Sequence, residues 1–127
     1  MKNPSLKTLK AKLWSLCRDI TRKRYPNSCY ICDLRGLSGS GLHTCHLIPS
    51  GACGANLRFD LRNLRPCCYR CNIHLGGNAA EFYRRMVKEV GQKAVDILFK
   101  DKQKIVKADK FFFLEKIAEY EKLLKSL

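Results

Sequence analysis

Two CxxC pairs constrain this chain more than any other feature of its sequence. Cys29 and Cys32 form the first pair, and Cys68 and Cys71 form the second. Two residues between thiolates allow one turn of backbone to direct both sulfurs at one ion, and two such turns complete the tetrahedral set that structural Zn²⁺ takes. The spacing therefore predicts one closed zinc site, whose binding contributes folding free energy to a chain of only 127 residues.

The other four cysteines, at positions 17, 45, 53 and 67, show no such spacing. Cys17 sits beside an apolar helical stripe and is predicted to be a small core residue. A second zinc site built from Cys45, Cys53, Cys67 and a histidine is the less favoured alternative. The N-terminus shows no secretory signal and no apolar run is long enough to span a membrane, so we expect a reducing compartment and cysteines that bind metal.

An excess of basic residues gives the chain a net charge of +14, from 25 Lys and Arg against 11 Asp and Glu. A positive field of this size most often serves nucleic-acid binding, and a ribosomal or simply soluble basic protein is the alternative. Residues 5–24 are predicted to form a basic helix that begins at the N-cap Ser5. Its charged faces are expected to contact the phosphates of a nucleic acid rather than only solvent.

The middle of the chain, residues 27–77, lacks a helical period. Strands are predicted over 42–48 and 57–60, with an exposed loop over 49–56 between them. Helices are predicted again after this region. The first begins at a cap on Asn78 and is interrupted by Gly91 before residues 94–99 resume, and the last runs from about Asp109 to the end.

A histidine and two asparagines occur in a fixed order around the second CxxC pair. His46 lies between the two pairs, Asn63 follows it, and Asn72 comes directly after Cys71. A neutral imidazole suits His46 to the role of general base near pH 7. Asn72 offers a hard amide oxygen to Mg²⁺ or Mn²⁺, as phosphodiester hydrolysis needs. The alternatives are a structural histidine and asparagines that only cap turns.

This order resembles the HNH, or His-Me finger, nucleases. A longer ordered set, spread over nearly the whole chain, resembles the phage NinG/Rap recombination nuclease family. The set comprises Trp14, Ser15, Ile20, Arg22, Cys29, Cys32, His46, Ile48, Pro49, Arg58, Phe59, Asp60, Asn63, Cys71, Asn72, Gly77, Asn78, Tyr83, Gly91 and Tyr120.

The resemblance implies an α+β fold in which a zinc-stabilised ββα-metal core is flanked by a basic N-terminal helix and by C-terminal helices. Residues 1–127 would form one nuclease domain, with the basic helix at 1–26, the core at 27–78 and the helical part at 79–127. The implied activity is metal-dependent, structure-specific cleavage of branched DNA such as Holliday junctions and D-loops. The implied location is the cytoplasm of a bacterial or phage-infected cell. Symmetric resolution of a four-way junction needs two active sites, which favours a homodimer.

The resemblance also assigns roles within the site. Asn63 would brace the backbone around His46, and Asn72 would hold the catalytic metal. Many HNH nucleases carry Asp or His directly before the base, whereas this chain has Cys45, a poor ligand for Mg²⁺. Asp60 is the nearest candidate for the second ligand. By strand parity His43 faces away from His46 and is expected to lie at the surface or behind the ligands, and His74 is expected to contact neither phosphate nor zinc.

Seven basic residues are the predicted DNA contacts. They are Arg22, Lys23, Arg24, Arg58, Arg62, Arg65 and Arg70. Two other functions remain open at this point. One is a zinc-bound DNA-binding accessory protein of recombination without catalysis, and the other is an RNA-binding or ribosome-associated zinc protein.

Overall fold

The N-terminal helix forms as its sequence predicts. The computed structural model describes residues 3–127, apart from the side chains of residues 50–53. Helix α1 spans Leu6–Arg24, and the Ser5 hydroxyl accepts a hydrogen bond from the Thr8 N–H at 3.2 Å, which satisfies one of the free donors of the first turn. The buried side chains of the helix are Leu9, Leu13, Leu16, Cys17, Ile20 and Thr21. The predicted helix is confirmed, although Leu6 is exposed.

A two-stranded antiparallel sheet lies in the middle of the chain. Strand β1 spans His43–His46 and strand β2 spans Leu64–Cys67, with His43 opposite Cys67 and His46 opposite Leu64. The strand predicted over 42–48 is therefore confirmed in its centre. Together with the helices, this sheet gives the chain an α+β architecture.

The segment between the strands is helical, so the predicted loop over 49–56 and strand over 57–60 are wrong. Helix α2 spans Ser50–Arg58 and is kinked at Gly54, whose φ of 59° is one that glycine adopts readily. Leu57 and Phe59, which lie in the predicted strand, are buried in different clusters, because the chain leaves the helix between them. A 3₁₀ turn at Leu61–Asn63 then leads into β2.

Two hydrophobic clusters flank the sheet. The cysteine-side cluster contains three cysteines of the CxxC pairs, Cys29, Cys68 and Cys71, together with Phe82 and Met86. The α1–α5 cluster joins α1 to the last helix, α5 (Lys110–Ser126), around Phe59 and Leu64. Cys17 belongs to the α1–α5 cluster, and burial raises the pKa of its thiol to about 12. Its predicted role as a small core residue is confirmed.

The sulfurs of Cys45 and Cys67 are joined in a disulfide between the two strands. This pairing corrects two expectations from the sequence. The cysteines outside the CxxC pairs are not all free thiols, and Cys45 and Cys67 do not serve as ligands of a second zinc in this structure. Cys53, the third member of that suggested site, has a side chain outside the described part of the chain.

Three helices complete the fold. Helix α3 spans Ala79–Val90, helix α4 spans Gln92–Asp101 and helix α5 spans Lys110–Ser126. The predicted interruption at Gly91 is confirmed, as is the start of the last helix near Asp109. The Asp109 carboxylate caps this helix by accepting from the Phe112 N–H at 2.9 Å. Asn78 occupies the N-cap position of α3 but makes no capping hydrogen bond with its side chain. Among the described residues, no helix combines the length and apolar character needed to cross a membrane.

Candidate functional site

The four cysteines of the CxxC pairs converge on one point. The ligand atoms of Cys29, Cys32, Cys68 and Cys71 all lie within 4.8 Å of one another, and the Cys32 and Cys68 sulfurs are 3.7 Å apart. A tetrahedral zinc with Zn–S bonds of about 2.3 Å separates its sulfurs by about 3.8 Å. The arrangement therefore fits a structural Zn²⁺, and the cluster predicted from the spacing is confirmed.

Backbone and side-chain N–H groups point at the sulfurs of this cluster. The Cys32 N–H donates to Cys29 Sγ and the Cys71 N–H donates to Cys68 Sγ, each at 3.4 Å. The Asn78 amide donates to Cys71 Sγ at 3.7 Å, which explains why it does not cap α3. Donors of this kind compensate the negative charge of metal-bound thiolates. The donor set is therefore suited to four charged sulfurs around a cation.

His46, the predicted base, is held between a helix and a backbone carbonyl. Its ring stacks on Trp14 of α1 with a centroid separation of 5.2 Å and an interplanar angle of 13°. Its Nε2 lies 2.9 Å from the Arg58 carbonyl oxygen. Because a carbonyl only accepts hydrogen bonds, Nε2 carries the proton and the lone pair of a neutral ring resides on Nδ1.

The environment of His46 favours this neutral ring. Burial lowers the pKa of the imidazole, and the nearby positive charge of Arg58 lowers it further, while the hydrogen bond to the Arg58 carbonyl opposes both effects. Desolvation disfavours the protonated form because a charged ring loses hydration that the protein does not replace. A neutral imidazole with Nδ1 available can accept a proton at neutral pH.

Asn63 joins the backbone that follows this histidine to the backbone that precedes Arg58. It is fully buried, and its Oδ1 accepts from the Ile48 N–H at 2.8 Å. Its Nδ2 donates to the carbonyls of Ile48 at 3.0 Å and Leu57 at 3.1 Å. The main-chain carbonyl of Asn63 also accepts from Leu47 N–H at 3.0 Å. Asn63 thus ties the residues after His46 to the residue before Arg58, whose carbonyl orients the ring.

On the other face of β1, His43 contacts Asn72. His43 Nε2 lies 3.0 Å from the Ser40 carbonyl oxygen, and its Nδ1 lies 2.8 Å from Asn72 Nδ2. The carbonyl requires the proton on Nε2, so Nδ1 accepts and the Asn72 amide donates. This chain of hydrogen bonds sets the orientation of the amide, leaving Asn72 Oδ1 on the side that does not face His43. The expected opposite parity of His43 and His46 is confirmed.

The structure does not bring all the predicted site residues together. Among the described contacts, Asn72 is bonded to His43 and not to His46. Asp60 accepts from the side chain of Arg62 at 2.7 Å and caps the turn that precedes β2, and no contact joins it to Asn72. The prediction of Asp60 as the second metal ligand is therefore not supported. Cys45 is bonded to Cys67 and does not fill that position either.

Arg65 is a structural residue, which corrects its prediction as a DNA contact. Its side chain is only 5% exposed and pairs with Glu89 at 3.1 Å. Its guanidinium also lies over the rings of Tyr25 and Tyr30, at 4.9 and 5.3 Å from their centroids. Both tyrosine hydroxyls reach Glu89 as well. The network ties the end of α1 to α3 and leaves the Arg65 charge inaccessible to phosphate.

The other predicted DNA contacts divide into engaged and exposed residues. Arg62 is held by Asp60 and Asp101, and Arg22 donates to the Leu42 carbonyl at 2.9 Å. The remaining four are exposed and make no ion pair within the described part of the chain. These four are Lys23, Arg24, Arg58 and Arg70. His74 packs edge-on against Tyr69.

Two contacts of His46 were not predicted from the sequence. Trp14 belonged to the residues that carry the family resemblance, but no pattern signalled that it stacks on a histidine 32 positions away. The second is the Arg58 carbonyl, which is a backbone group and so leaves no mark in residue identity. The charge of Arg58 and its place in the family resemblance drew attention to that position, but neither pointed to its carbonyl.

Comparison with known proteins matches nearly the whole chain to one family. The family model described as "NinG: Bacteriophage Lambda NinG protein" matches residues 5–127. Proteins named "Protein ninG" from Enterobacteria phage H19B, Escherichia phage 933W and Enterobacteria phage VT2-Sa are each 40% identical over 45 residues. That alignment covers 35% of this chain and spans 22% of the length of each relative. No solved structure matches the chain.

Proposed function

The chain belongs to the NinG family of phage proteins, and from that premise we propose that it is a metal-dependent endonuclease acting on branched DNA of recombination. The observation that carries the proposal is the state of His46. Its Nε2–H is committed to the Arg58 carbonyl at 2.9 Å, its ring is stacked on Trp14, and its pKa is lowered by burial. A half-buried imidazole that is neutral, oriented and basic at Nδ1 is equipped for proton transfer.

In the proposed reaction, His46 Nδ1 accepts a proton from the water that attacks phosphorus. The imidazolium that forms keeps its Nε2–H bond to the Arg58 carbonyl, and this dipole stabilises the new positive charge. Stacking on Trp14 prevents the ring from rotating away from the water. General-base catalysis of this kind contributes about 10²–10⁴-fold to the rate.

Asn63 acts as a positioning residue in this proposal. It touches no reacting atom, but its three side-chain hydrogen bonds tie the backbone that follows the base to Leu57, next to the Arg58 carbonyl that orients the ring. Rigid support matters because a displacement of about 1 Å in a reacting group can lower the rate about 10²-fold.

Asn72 Oδ1 is the protein ligand that we assign to a catalytic Mg²⁺ or Mn²⁺. The donor set fits such an ion in part, since Mg²⁺ is commonly bound by one or two protein oxygens while water and substrate phosphate fill the other positions. When bound, the ion supplies charge neutralisation at the scissile phosphate and at the leaving oxygen. His43 would hold the Asn72 amide with its oxygen available to the ion.

The cysteine cluster has a separate, structural role in the proposal. It is closed by four protein sulfurs and leaves no open position for substrate. Because Asn72 directly follows Cys71, a zinc at the cluster would fix the start of the turn at Arg70–His74 that carries the catalytic metal ligand. In the proposal, β1, β2 and this turn would correspond to the parts of a ββα-metal core, with α2 inserted between the two strands.

The substrate class follows from charge and from the family. The net charge of +14 and the exposed Lys23, Arg24, Arg58 and Arg70 favour phosphate contacts over sequence reading. Arg58 places one of these cations on the same residue whose carbonyl orients His46. The preference for Holliday junctions and D-loops, and a dimer with two active sites, are taken from the resemblance.

One observation favours a second candidate function, a zinc-bound DNA-binding module without catalysis. The residue before His46 is the usual place of a second metal ligand in HNH nucleases, and here that residue is Cys45, bonded to Cys67. A site with only one hard oxygen ligand holds a divalent ion weakly. The two functions differ in whether any divalent ion supports cleavage.

The deciding experiment is cleavage of a labelled four-way junction with Mg²⁺ or Mn²⁺ by zinc-loaded protein. We expect wild type to cut, and His46→Ala to lose about 10²–10⁴-fold in rate with unchanged zinc content and junction binding. His74→Ala is the matched control, because His74 is an exposed histidine near the cysteine cluster, and it should cut like wild type. A folded wild type that cuts with neither ion would replace the nuclease proposal with the binding module.

A further inference from the structure

The connection between α4 and α5 presents an aliphatic side chain to solvent among lysines. Ile105 is 100% exposed, so its side chain has no intramolecular partner within the described part of the chain. Lys102, Lys104 and Lys107 surround it in sequence, and all three are exposed. Burying an isoleucine is worth about 1.5–3 kcal/mol. The folded chain does not bury Ile105, and lysines lie on both sides of it in the sequence.

The start of this connection is fixed beside the candidate base. The Asn56 amide donates to the Asp101 carbonyl at 2.9 Å, and the Asp101 carboxylate pairs with Arg62 at 3.0 Å. Lys104 folds back onto the same carboxylate at 3.2 Å. Asn56 and Arg62 flank Arg58, whose carbonyl holds His46. The lysine-flanked connection therefore leaves the body of the protein next to the segment that orients the catalytic imidazole.

Chain geometry limits how far Ile105 lies from that segment. Ile105 follows Asp101 by four positions, a span of at most about 14 Å even when fully extended. The Asn56 side chain and its hydrogen bond to the Asp101 carbonyl add about 9 Å, and the two positions from Asn56 to Arg58 add at most about 7 Å. Ile105 consequently lies within about 33 Å of the Arg58 carbonyl, or about ten base-pair steps of duplex at 3.4 Å each. About one helical turn of bound duplex would span that distance.

We propose that Ile105 is a wedge that enters between bases of the bound DNA where stacking is already weakened, as at a branch point. The inference rests on the proposed function only for the identity of the partner as DNA. Aliphatic side chains separate base steps in architectural DNA-binding proteins, and the cost of unstacking is least where bases are not fully stacked. Lys102 and Lys107 would bind the phosphates on either side of the opened step.

A phospholipid surface is a poorer partner for this segment. Even a whole myristoyl chain gives only marginal membrane attachment, and Ile105 has a side chain of four carbons. The contacts of Asp101 with Arg62 and Asn56 also anchor the start of the segment near the residue whose carbonyl holds His46.

The test measures base unstacking without cleavage. Four-way junctions carry 2-aminopurine at the positions that flank the branch, and all proteins carry His46→Ala so that the DNA stays intact. We expect 2-aminopurine emission to rise on binding when residue 105 is Ile or, by Ile105→Leu, another branched aliphatic residue. With Ile105→Ser the rise should disappear, and affinity for the junction should fall about tenfold while affinity for a duplex of the same arms stays near wild type.

Phe111→Ser is the matched control, because Phe111 is a 73% exposed apolar side chain on α5. It should keep the full rise in emission. The proposal is overturned if Ile105→Ser retains the rise, if Phe111→Ser removes it equally, if junction and duplex affinities fall together, or if no protein produces a rise. The emission readout does not depend on catalysis. A wild type that never cleaves would contradict the nuclease proposal without affecting an Ile105-dependent rise in emission. Likewise, a missing rise would contradict the wedge without affecting the evidence from cleavage.

Discussion

On one face of β1, His46 is held by packing and by backbone hydrogen bonds, whereas on the other face His43 and Asn72 lie beside a cluster of cysteines. The first arrangement depends on α1, Asn63 and the Arg58 carbonyl, all of which are ordinary parts of the fold. The second depends on a turn that the cysteines hold in place. The comparison teaches that the proposed base and the proposed metal ligand depend on different parts of the fold, so variants on the two faces should have distinguishable effects.

The largest effect is expected from Cys68→Ser. Removal of one sulfur leaves three ligands, and structural zinc in small domains contributes about 10–16 kcal/mol of binding free energy that is coupled to folding. We expect loss of zinc by elemental analysis and loss of the cooperative thermal transition. Cys17→Ala, which removes a core thiol on the other face, should keep one zinc per chain. A zinc content of one in purified Cys68→Ser would show that the cluster has been misassigned.

Asn63→Ala should be the most damaging change on the His46 face. It removes three buried hydrogen bonds and leaves the Ile48 N–H without its partner, which should lower the free energy of unfolding by about 2–4 kcal/mol. Denaturant unfolding measures the loss, and zinc content should stay unchanged. Asn27→Ala, at an exposed position, serves as the control. Equal stability of Asn63→Ala and wild type would remove the basis for its positioning role.

His43→Ala should weaken binding of the catalytic metal and leave proton transfer by His46 unchanged. Loss of the acceptor at 2.8 Å frees the Asn72 amide to rotate, and removing a group that orients a metal ligand typically lowers metal affinity about 10–100-fold. We expect cleavage to require about tenfold more Mg²⁺ or Mn²⁺, with the pH dependence unchanged. His74→Ala should need no more metal than wild type. If His43→Ala needs the same metal concentration as wild type, His43 does not orient a metal ligand.

Trp14→Ala should weaken proton transfer by His46 and leave metal binding unchanged. Of the four variants, it should have the smallest effect. Burial lowers the pKa of His46, so the neutral base persists below the usual pKa of about 6.5, and the acid limb of kcat/KM should lie below that pH. Exposure of the ring raises the pKa, so the limb moves upward and activity falls more at pH 6 than at pH 8. Trp14→Phe, which keeps a stacking partner, should restore the limb. If the acid limb of kcat/KM has the same pH position in Trp14→Ala as in wild type, stacking on Trp14 does not cause the lowered pKa of His46.

The sequence predicts those features that depend on local spacing. The stripe of α1, its Ser5 cap and the cysteine cluster all follow from residues that repeat at fixed intervals. Helix α2 could not be predicted in this way, because Leu57 and Phe59 are buried in two clusters on opposite sides of the chain. Apolar residues two positions apart are typical of a strand, but Leu57 and Phe59 have this spacing because the helix ends between them.

The contacts within the site depend on tertiary structure and were harder to predict. Arg65 carries the same charge as Arg58, and only its position under Tyr25 and Tyr30 separates a buried structural cation from an exposed one. Strand parity correctly separated His43 from His46, but it contained no information on which helix or turn lies against each face. The contact of His43 with Asn72 therefore emerged only when the turn at Arg70–His74 was placed beside β1.

The clamp formed by Asn63 has a consequence for how this chain tolerates added length. Its side chain bonds to Ile48 and Leu57, so the residues between them form a loop closed at its base. For such a loop, each doubling of length costs only about 0.6 kcal/mol of closure entropy. Gly54 lies at an exposed kink within it. A tag or reporter peptide inserted at Gly54 should leave the histidine outside the loop undisturbed, which makes this position a natural attachment point for labelling the protein.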